Sequence, residues 1–406
     1  MKKVALIRHK KNYVAYFFDQ KSSLLVSSIG AEILDDFLNE DLKIKDIAKK
    51  LHKKYHQDYD VILKDAQNFL AEIYDKLQKT TMSEVEQEFL DAPLGVEIEI
   101  TTACNLRCKH CFQKEYQENY MPFDKYQKMV DLLIEKGVCE INLVGGEVFL
   151  HPDAERMIKY NAEKGLVQTI VTNAIAMSPI MINEISQLSR IYIMVSLDGT
   201  EELHDDIRGK GQFAKVMKII KQLKKKHVPV ELLCTLNNKN ILKIDEIVEF
   251  SSEIDIPINF NLFKPFSEKQ QDLIVKPEDF FAAVEKLLKL RIEKDYKIGV
   301  SDASLVAHLL NLPPRNECTA TLAGLVIDID GRMVTCPYLV EAGYYQKEEL
   351  PIFDENFIDH WKNHRVFVEF RNNGLRNCQA RSFIFSQEVT GDDPYGIEAY
   401  QKYKDS

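Results

Sequence analysis

The chain has 406 residues, 45% hydrophobic and 29% charged, which excludes a disordered or collagen-like polymer. Its 53 Lys and Arg against 63 Asp and Glu give a formal charge of −10, so no general attraction for a phosphate backbone exists and nucleic acid is not an expected partner. Eight cysteines are too sparse for a small secreted disulfide scaffold and must act as core filler, metal ligands or redox groups. After Met1-Lys2-Lys3 the apolar run Val4 to Ile7 is cut off by Arg8, His9 and Lys10, too short for a signal sequence. No run of about 18 apolar residues occurs, so no membrane span is expected and a reducing cytoplasm is the expected compartment.

Three regions separate by pattern. In residues 1–80, the runs Tyr13–Phe18 and Leu24–Val26 flank Asp19-Gln20-Lys21-Ser22 as a β-hairpin does. Helical periodicity follows near 29–40, 42–56 and 60–78, giving a winged-helix-like unit. Residues 81–92 are polar and read as a linker. In residues 93–300, strand-like runs at 95–101, 140–144, 168–172, 191–197, 228–236 and 257–263 alternate with helical stretches, and a helix near 277–295 closes the series. Six β/α repeats argue for a parallel sheet with helices outside it, either an open doubly wound sheet or a partial barrel. In both, reactive side chains belong at the C-terminal ends of the strands. Residues 301–406 are loop-rich and carry three further cysteines.

The first strand of the alternating region runs into Thr102-Ala103-Cys104-Asn105-Leu106-Arg107-Cys108-Lys109-His110-Cys111. Structural zinc takes four closed ligands, and His110 abuts Cys111 too closely to serve as the fourth. Three thiolates suit a [4Fe–4S] cluster with one iron open to an exogenous ligand. This C-x3-C-x2-C loop resembles that of the radical S-adenosylmethionine (SAM) superfamily. Further matches follow in order: Gly145-Gly146-Glu147 after the second strand, Thr172-Asn173 after the third, and Ser196-Leu197-Asp198-Gly199 with His204 and Arg208 after the fourth. With this resemblance, the expected fold is a partial (β/α)6 TIM-type barrel with an N-terminal winged-helix-like domain and a small C-terminal iron–sulfur domain.

The resemblance also implies a site. Cys104, Cys108 and Cys111 would hold the cluster, and Gly145, Gly146, Glu147, Asn173, Ser196, Asp198 and Arg208 would surround SAM. Glu147 would pair with its amine, Arg208 with its carboxylate, and Ser196 would hydrogen-bond ribose or carboxylate. His110 takes the position where the family has an aromatic residue against the adenine. The chemistry implied is reductive cleavage of SAM and abstraction of hydrogen from an unactivated carbon, with an external electron donor such as flavodoxin or ferredoxin.

Cys318 and Cys336 form C-x12-G-x4-C around the Asp330-Gly331 turn, a hairpin that brings both thiols together. This resembles the SPASM/twitch extension, whose auxiliary iron–sulfur clusters imply a metal role for Cys318, Cys336 and Cys378. Leu375 and Gly396 stand where the pattern has further cysteines, so one auxiliary [4Fe–4S] cluster with a fourth ligand from elsewhere or an open iron is expected; the alternative is a site holding zinc or nothing. Cys139 and Cys234 read as small core residues. The N-terminal unit resembles the RiPP recognition element, where RiPP denotes a ribosomally made, post-translationally modified peptide. That implies a precursor peptide as partner, its leader pairing on the hairpin edge, with Lys10, Lys11 and Lys21 guarding that edge. A DNA-binding winged helix and a structural cap are the other readings of this unit. The product expected is an oxidative crosslink, thioether or carbon–carbon; the alternatives are a SPASM-type enzyme acting on a tetrapyrrole or sulfatase, and a noncatalytic iron–sulfur sensor.

Overall fold

A computed structural model describes residues 2–79, 89–113, 118–266 and 268–405. The N-terminal unit has one strand more than the hairpin pattern predicts. β1 (Val4–His9), β2 (Asn12–Phe17) and β3 (Ser22–Val26) form an antiparallel sheet in that order. The run that resembles a truncated signal core is β1, paired from Val4 opposite Phe17 to His9 opposite Asn12. Its alternation serves two interfaces. Val4 and Leu6 face the unit's own core, while Ala5 and Ile7 face the larger domain.

α1 (Ser28–Leu34) starts where the Ser27 side chain accepts from Gly30 N at 3.1 Å, satisfying one free amide of the first turn. A π-helical turn at Asp35–Asn39 interrupts what the periodicity presents as one helix over 29–40. α2 (Ile44–Tyr55) and α3 (Tyr59–Lys79) complete the unit, with Ala31, Leu34 and Ile73 burying Ala15, Phe17, Leu24 and Val26. The expected linker lies outside the described residues over 81–88. Its remainder is docked: Leu90 N donates to Leu322 O (2.9 Å), Trp361 Nε1 donates to Leu90 O (2.9 Å), and Asp91 pairs with Lys362 (2.8 Å).

The six strands expected from the sequence are present as β4 (Gly95–Thr101), β5 (Glu140–Gly145), β6 (Val167–Thr172), β7 (Ile191–Ser196), β8 (Val230–Leu236) and β9 (Ile258–Leu262), neighbouring and parallel in chain order. The sheet extends further at both edges. β10 (Ile298–Val300) adds parallel to β9, and the Asp-Gly hairpin, β11 (Gly324–Ile327) with β12 (Met333–Val334), attaches through β11 parallel to β4. The C-terminal region is thereby joined to the central sheet by backbone hydrogen bonds.

One face of the sheet is apolar. Ile98, Leu143, Ile170, Ile193, Leu232 and Phe260 bury against the surrounding helices. The alternate residues, Glu97, Glu99, Asn142, Thr169, Tyr192, Glu231 and Asn259, point to the inner face. A parallel sheet covered on both faces normally reads as continuous hydrophobic strands; this row is polar and, apart from Thr169, partly exposed, so the inner face borders a chamber rather than a packed interior. Burial pushes the Glu97 and Glu99 carboxyls up to about 7.

The N-terminal sheet sits against the strand starts. Tyr16 Oη donates to Glu140 Oε2 (3.1 Å), and Tyr16 and Phe18 pack with Cys139 and Val167. Lys21, at the β2–β3 turn, donates to Thr169 Oγ1 (3.0 Å), pairs with Glu140 (3.3 Å) and lies 4.5 Å over the Tyr192 ring. Lys21 is therefore a plug in the base of the barrel rather than a guard of the hairpin edge. Cys139 and Cys234 are 4% and 0% exposed, as expected of core cysteines. Among the described residues no helix is long and apolar enough to cross a membrane.

Candidate active site

The mouth of the barrel is built from loops that follow β4 to β7. After β4, Cys104, Cys108 and Cys111 are free, half-buried thiols on one loop. That loop is held by three hydrogen bonds: Lys109 N donates to Ile207 O (3.0 Å), and Gln270 Nε2 donates to Lys109 O (3.1 Å) and Cys111 O (3.0 Å). Leu106 N points at Cys104 Sγ (3.4 Å), and Arg208 Nη1 points at Cys108 Sγ (3.9 Å). Burial raises the Cys104 thiol and pushes Cys108 up to about 11, so metal binding here releases protons. Among the described residues no three His, Cys, Asp or Glu side chains are grouped for a single ion. A cubane instead distributes its thiolates over separate irons, and this donor set fits that demand at three positions.

The Gly145-Gly146-Glu147 turn packs directly on this loop. A Cβ at Gly145 would lie 2.2 Å from Thr101 O, and one at Gly146 2.4 Å from Ala103 O; no side chain fits at either position. Glu147 N donates to Ala103 O (2.8 Å), locking the two loops together. The Glu147 carboxylate is buried and accepts from Thr172 Oγ1 (2.5 Å), Phe149 N (3.1 Å) and Asn173 N (2.7 Å). Burial raises its pKa, and these three donors oppose the rise. Asn173 Nδ2 in turn donates to Asn105 Oδ1 within the cysteine loop (2.8 Å).

Ser196 ends β7 at 9% exposure, facing the same mouth, and Asp198 is fully buried behind it. Both Asp198 oxygens are engaged. Oδ1 accepts from Thr235 N (3.0 Å), and Oδ2 accepts from Arg208 Nε (2.6 Å) and lies 3.0 Å from His110 Nε2. Burial works against this charge, but Arg208 and His110 hold the carboxyl well below the usual range. His204, also fully buried, has its Nδ1 3.3 Å from Asp198 N, and burial together with Arg208 lowers its pKa to about 4, leaving it neutral. The sequence motif points to Asp198 and His110 as cofactor contacts. In the structure they form an ionic cluster with Arg208, whose position they fix. Thr172, Asn105 and Asn240, which donates to Asp198 O (3.0 Å), are further members of this framework; Thr172 alone carried a motif signal.

The three C-terminal cysteines border one apolar cluster. Cys318 precedes β11, Cys336 follows β12, and Cys378 begins the helix Gln379–Ser386. All three pack on one apolar cluster with Leu339, Tyr345 and Leu375. Leu375, where a further cysteine is expected, is 7% exposed in that cluster. Beside it Arg381 is buried and paired with Asp393 (2.8 Å), Glu317 (3.0 Å) and Asp302. Tyr338 connects the two cysteine regions, with its ring 5.8 Å from Phe112, which follows Cys111, and 5.5 Å from Phe266. Lys264, just after β9, lies 4.5 Å over the Tyr338 ring; no sequence motif marks it.

Residues 98–251 match the family model of the radical SAM superfamily. The chain is 26% identical over 225 residues to the antilisterial bacteriocin subtilosin biosynthesis protein AlbA of Bacillus subtilis, covering 54% of this chain and 50% of AlbA. It is 23% identical over 337 residues to the mycofactocin maturase MftC of Mycobacterium tuberculosis, covering 77% and 85%. The crystal structure of Streptococcus suis SuiB superimposes with a TM-score of 0.69 at 15% identity, over 92% of this chain and 90% of SuiB, a likeness of fold. SuiB has also been crystallised bound to S-adenosylmethionine and to precursor peptide SuiA. The chain thus carries a radical SAM domain, with the SAM and [4Fe–4S] cofactors that domain implies, and its relatives include a maturase and a bacteriocin biosynthesis protein.

Proposed function

We propose that this chain is a radical SAM maturase of a ribosomally made precursor peptide, a cytoplasmic enzyme that installs a thioether or carbon–carbon crosslink. The observation that carries the reading is the N-terminal sheet: among the described residues β3 pairs with β2 alone, which leaves an edge for a leader strand on a unit docked to the barrel. Leu25 on β3 and Ile29 on α1 are 41% and 45% exposed beside that edge. Relatives named for maturation and bacteriocin biosynthesis support it. We divide the chain as residues 1–80 for leader binding, 81–92 as linker, 93–300 as barrel and 301–406 as SPASM/twitch-like domain.

In this reading Cys104, Cys108 and Cys111 hold the [4Fe–4S] cluster, and Gly145, Gly146, Glu147, Asn173 and Ser196 line SAM. When bound, these cofactors supply one-electron reductive cleavage and hydrogen abstraction, fed by a flavodoxin- or ferredoxin-type donor. The chain's own residues position and exclude. The two glycines let backbone approach the ligand, Glu147 offers a carboxylate fixed by three donors, and Arg208 is oriented by Asp198 and His110. Cys318, Cys336 and Cys378 hold one auxiliary cluster. The polar chamber lined by Glu97, Asn142 and Thr169 receives the peptide segment to be modified.

The test is co-expression with the peptide encoded by a short reading frame beside the gene. Mass spectrometry is expected to show a loss of two hydrogens, abolished by Cys104→Ala. Unchanged peptide mass, while the reduced enzyme still turns SAM into 5′-deoxyadenosine, discards the crosslinking assignment.

A further inference from the structure

Lys264 is a half-buried cation with no ion-pair partner among the described residues. Its ammonium lies 4.5 Å over the Tyr338 ring and 3.5 Å from Leu262 O. Among the described residues no carboxylate lies within ion-pairing distance of it. A charge removed from water without a partner is costly, so such a lysine is retained where an anion faces it in the working protein. Its surroundings limit what that anion is. Asp302, the carboxylate that acts on Lys264 from beyond ion-pairing distance, is itself paired with Arg381, as are Glu317 and Asp393. Tyr338 stands two residues beyond Cys336, and Lys264 interacts electrostatically with Cys378 and Cys336, which pack on the same apolar cluster. Three metal-bound thiolates would supply an anionic charge beside the lysine.

We infer that Lys264 is the counter-charge of an anionic iron–sulfur centre held by Cys318, Cys336 and Cys378, and that it sets the reduction potential of that centre. This rests on the auxiliary-cluster part of the proposed function. Adding an electron makes the centre more negative, and a fixed cation in a region of low dielectric stabilises the reduced form. Removing the charge while keeping the shape therefore lowers the potential. Lys264 is a positioning residue in this role: it touches no reacting atom, and its ammonium rests over the Tyr338 ring.

The experiment uses the full-length, anaerobically reconstituted protein and its Lys264→Met and Lys264→Arg variants. Iron is counted, and potentials are read by titration followed by electron paramagnetic resonance, with added SAM marking the signal of the Cys104–Cys111 cluster. The expected result is about eight irons per chain in the wild type. In Lys264→Met the second centre's ratio of reduced to oxidised form falls about tenfold at fixed potential, ~59 mV for one electron, and Lys264→Arg restores it. Loss of the second centre in Lys264→Met but not in Lys264→Arg also supports the inference, because charge rather than shape is then what the centre requires. Eight irons with an unmoved potential overturn the role of Lys264 and leave the auxiliary cluster standing. About four irons in the wild type overturn both, since the lysine then faces no cluster.

Discussion

Arg208 Nε donates to Asp198 Oδ2 across 2.6 Å, and the same oxygen lies 3.0 Å from His110 Nε2. One fully buried carboxylate thus orients two side chains that the family motif assigns to the cofactor. Asp198→Asn keeps the shape and removes the charge that balances Arg208. Breaking a buried pair from one side costs about 3–5 kcal/mol, so a marked fall in the urea midpoint is expected, together with weaker SAM binding by calorimetry. If stability and SAM affinity are both unchanged, the cluster has no positioning role.

Gly146 gives a sharper steric test. Its Cβ would meet Ala103 O at 2.4 Å, a backbone atom that cannot rotate away. Gly146→Ala must therefore shift the turn against the cysteine loop. Loss of more than tenfold in SAM affinity is expected, with the SAM cluster's spectrum altered. A control at Gly343, which has nothing within 4 Å of its Cβ but a φ of +82°, will show a conformational cost without loss of SAM binding. Wild-type SAM affinity in Gly146→Ala would refute the close-packing account.

Much of this was legible in the chain. The six central strands are short apolar runs bounded by turns, and the cysteine loop and Gly-Gly-Glu turn lie at strand ends, where sequence spacing and tertiary position coincide. Other features were not. β1 is charged at one end and preceded by lysines, so its pairing with β2 competes with the look of a signal segment. β10 and β11 depend on register with strands 40 and more than 200 residues away in sequence. The Ser-Leu-Asp-Gly motif places Asp198 at a strand end without saying that the side chain turns into the protein. Lys264 stands in Phe263-Lys264-Pro265-Phe266 with no motif, and only the fold brings it beside Cys336 and Cys378.

The docking of the N-terminal unit makes its own prediction. Tyr16 and Lys21 both converge on Glu140, and Lys21 also reaches Thr169. Partly buried polar contacts of this kind contribute about 1 kcal/mol each. Tyr16→Phe with Lys21→Ala should therefore loosen residues 2–79 from the barrel, which limited proteolysis between the two units and hydrogen exchange at β5 and β6 will detect. SAM cleavage without peptide should persist, because these contacts lie at the strand starts, away from the mouth. Unchanged protease resistance would show that the apolar packing of Phe18, Cys139 and Val167 suffices alone.

The chamber acids predict how stability responds to pH. Burial pushes Glu97 and Glu99 up to about 7, against about 4.3 in an unfolded chain. Between these values the folded protein holds protons that the unfolded chain has released. Their contribution to stability is thus fully present below about pH 4.3 and is lost as pH rises through about 7, the reverse of a carboxylate stabilised in an ion pair. One pKa unit corresponds to about 1.4 kcal/mol, and both side chains open partly onto the chamber, so the loss is on the order of 1 kcal/mol per residue between pH 5.5 and 8. Glu97→Gln with Glu99→Gln removes both titrations while keeping the side-chain shape. The difference in urea midpoint between pH 5.5 and 8 should shrink in this variant, and the variant should be the more stable of the two proteins at pH 8. An undiminished pH slope would mean that the chamber solvates both carboxylates well enough to keep them ionised at neutral pH.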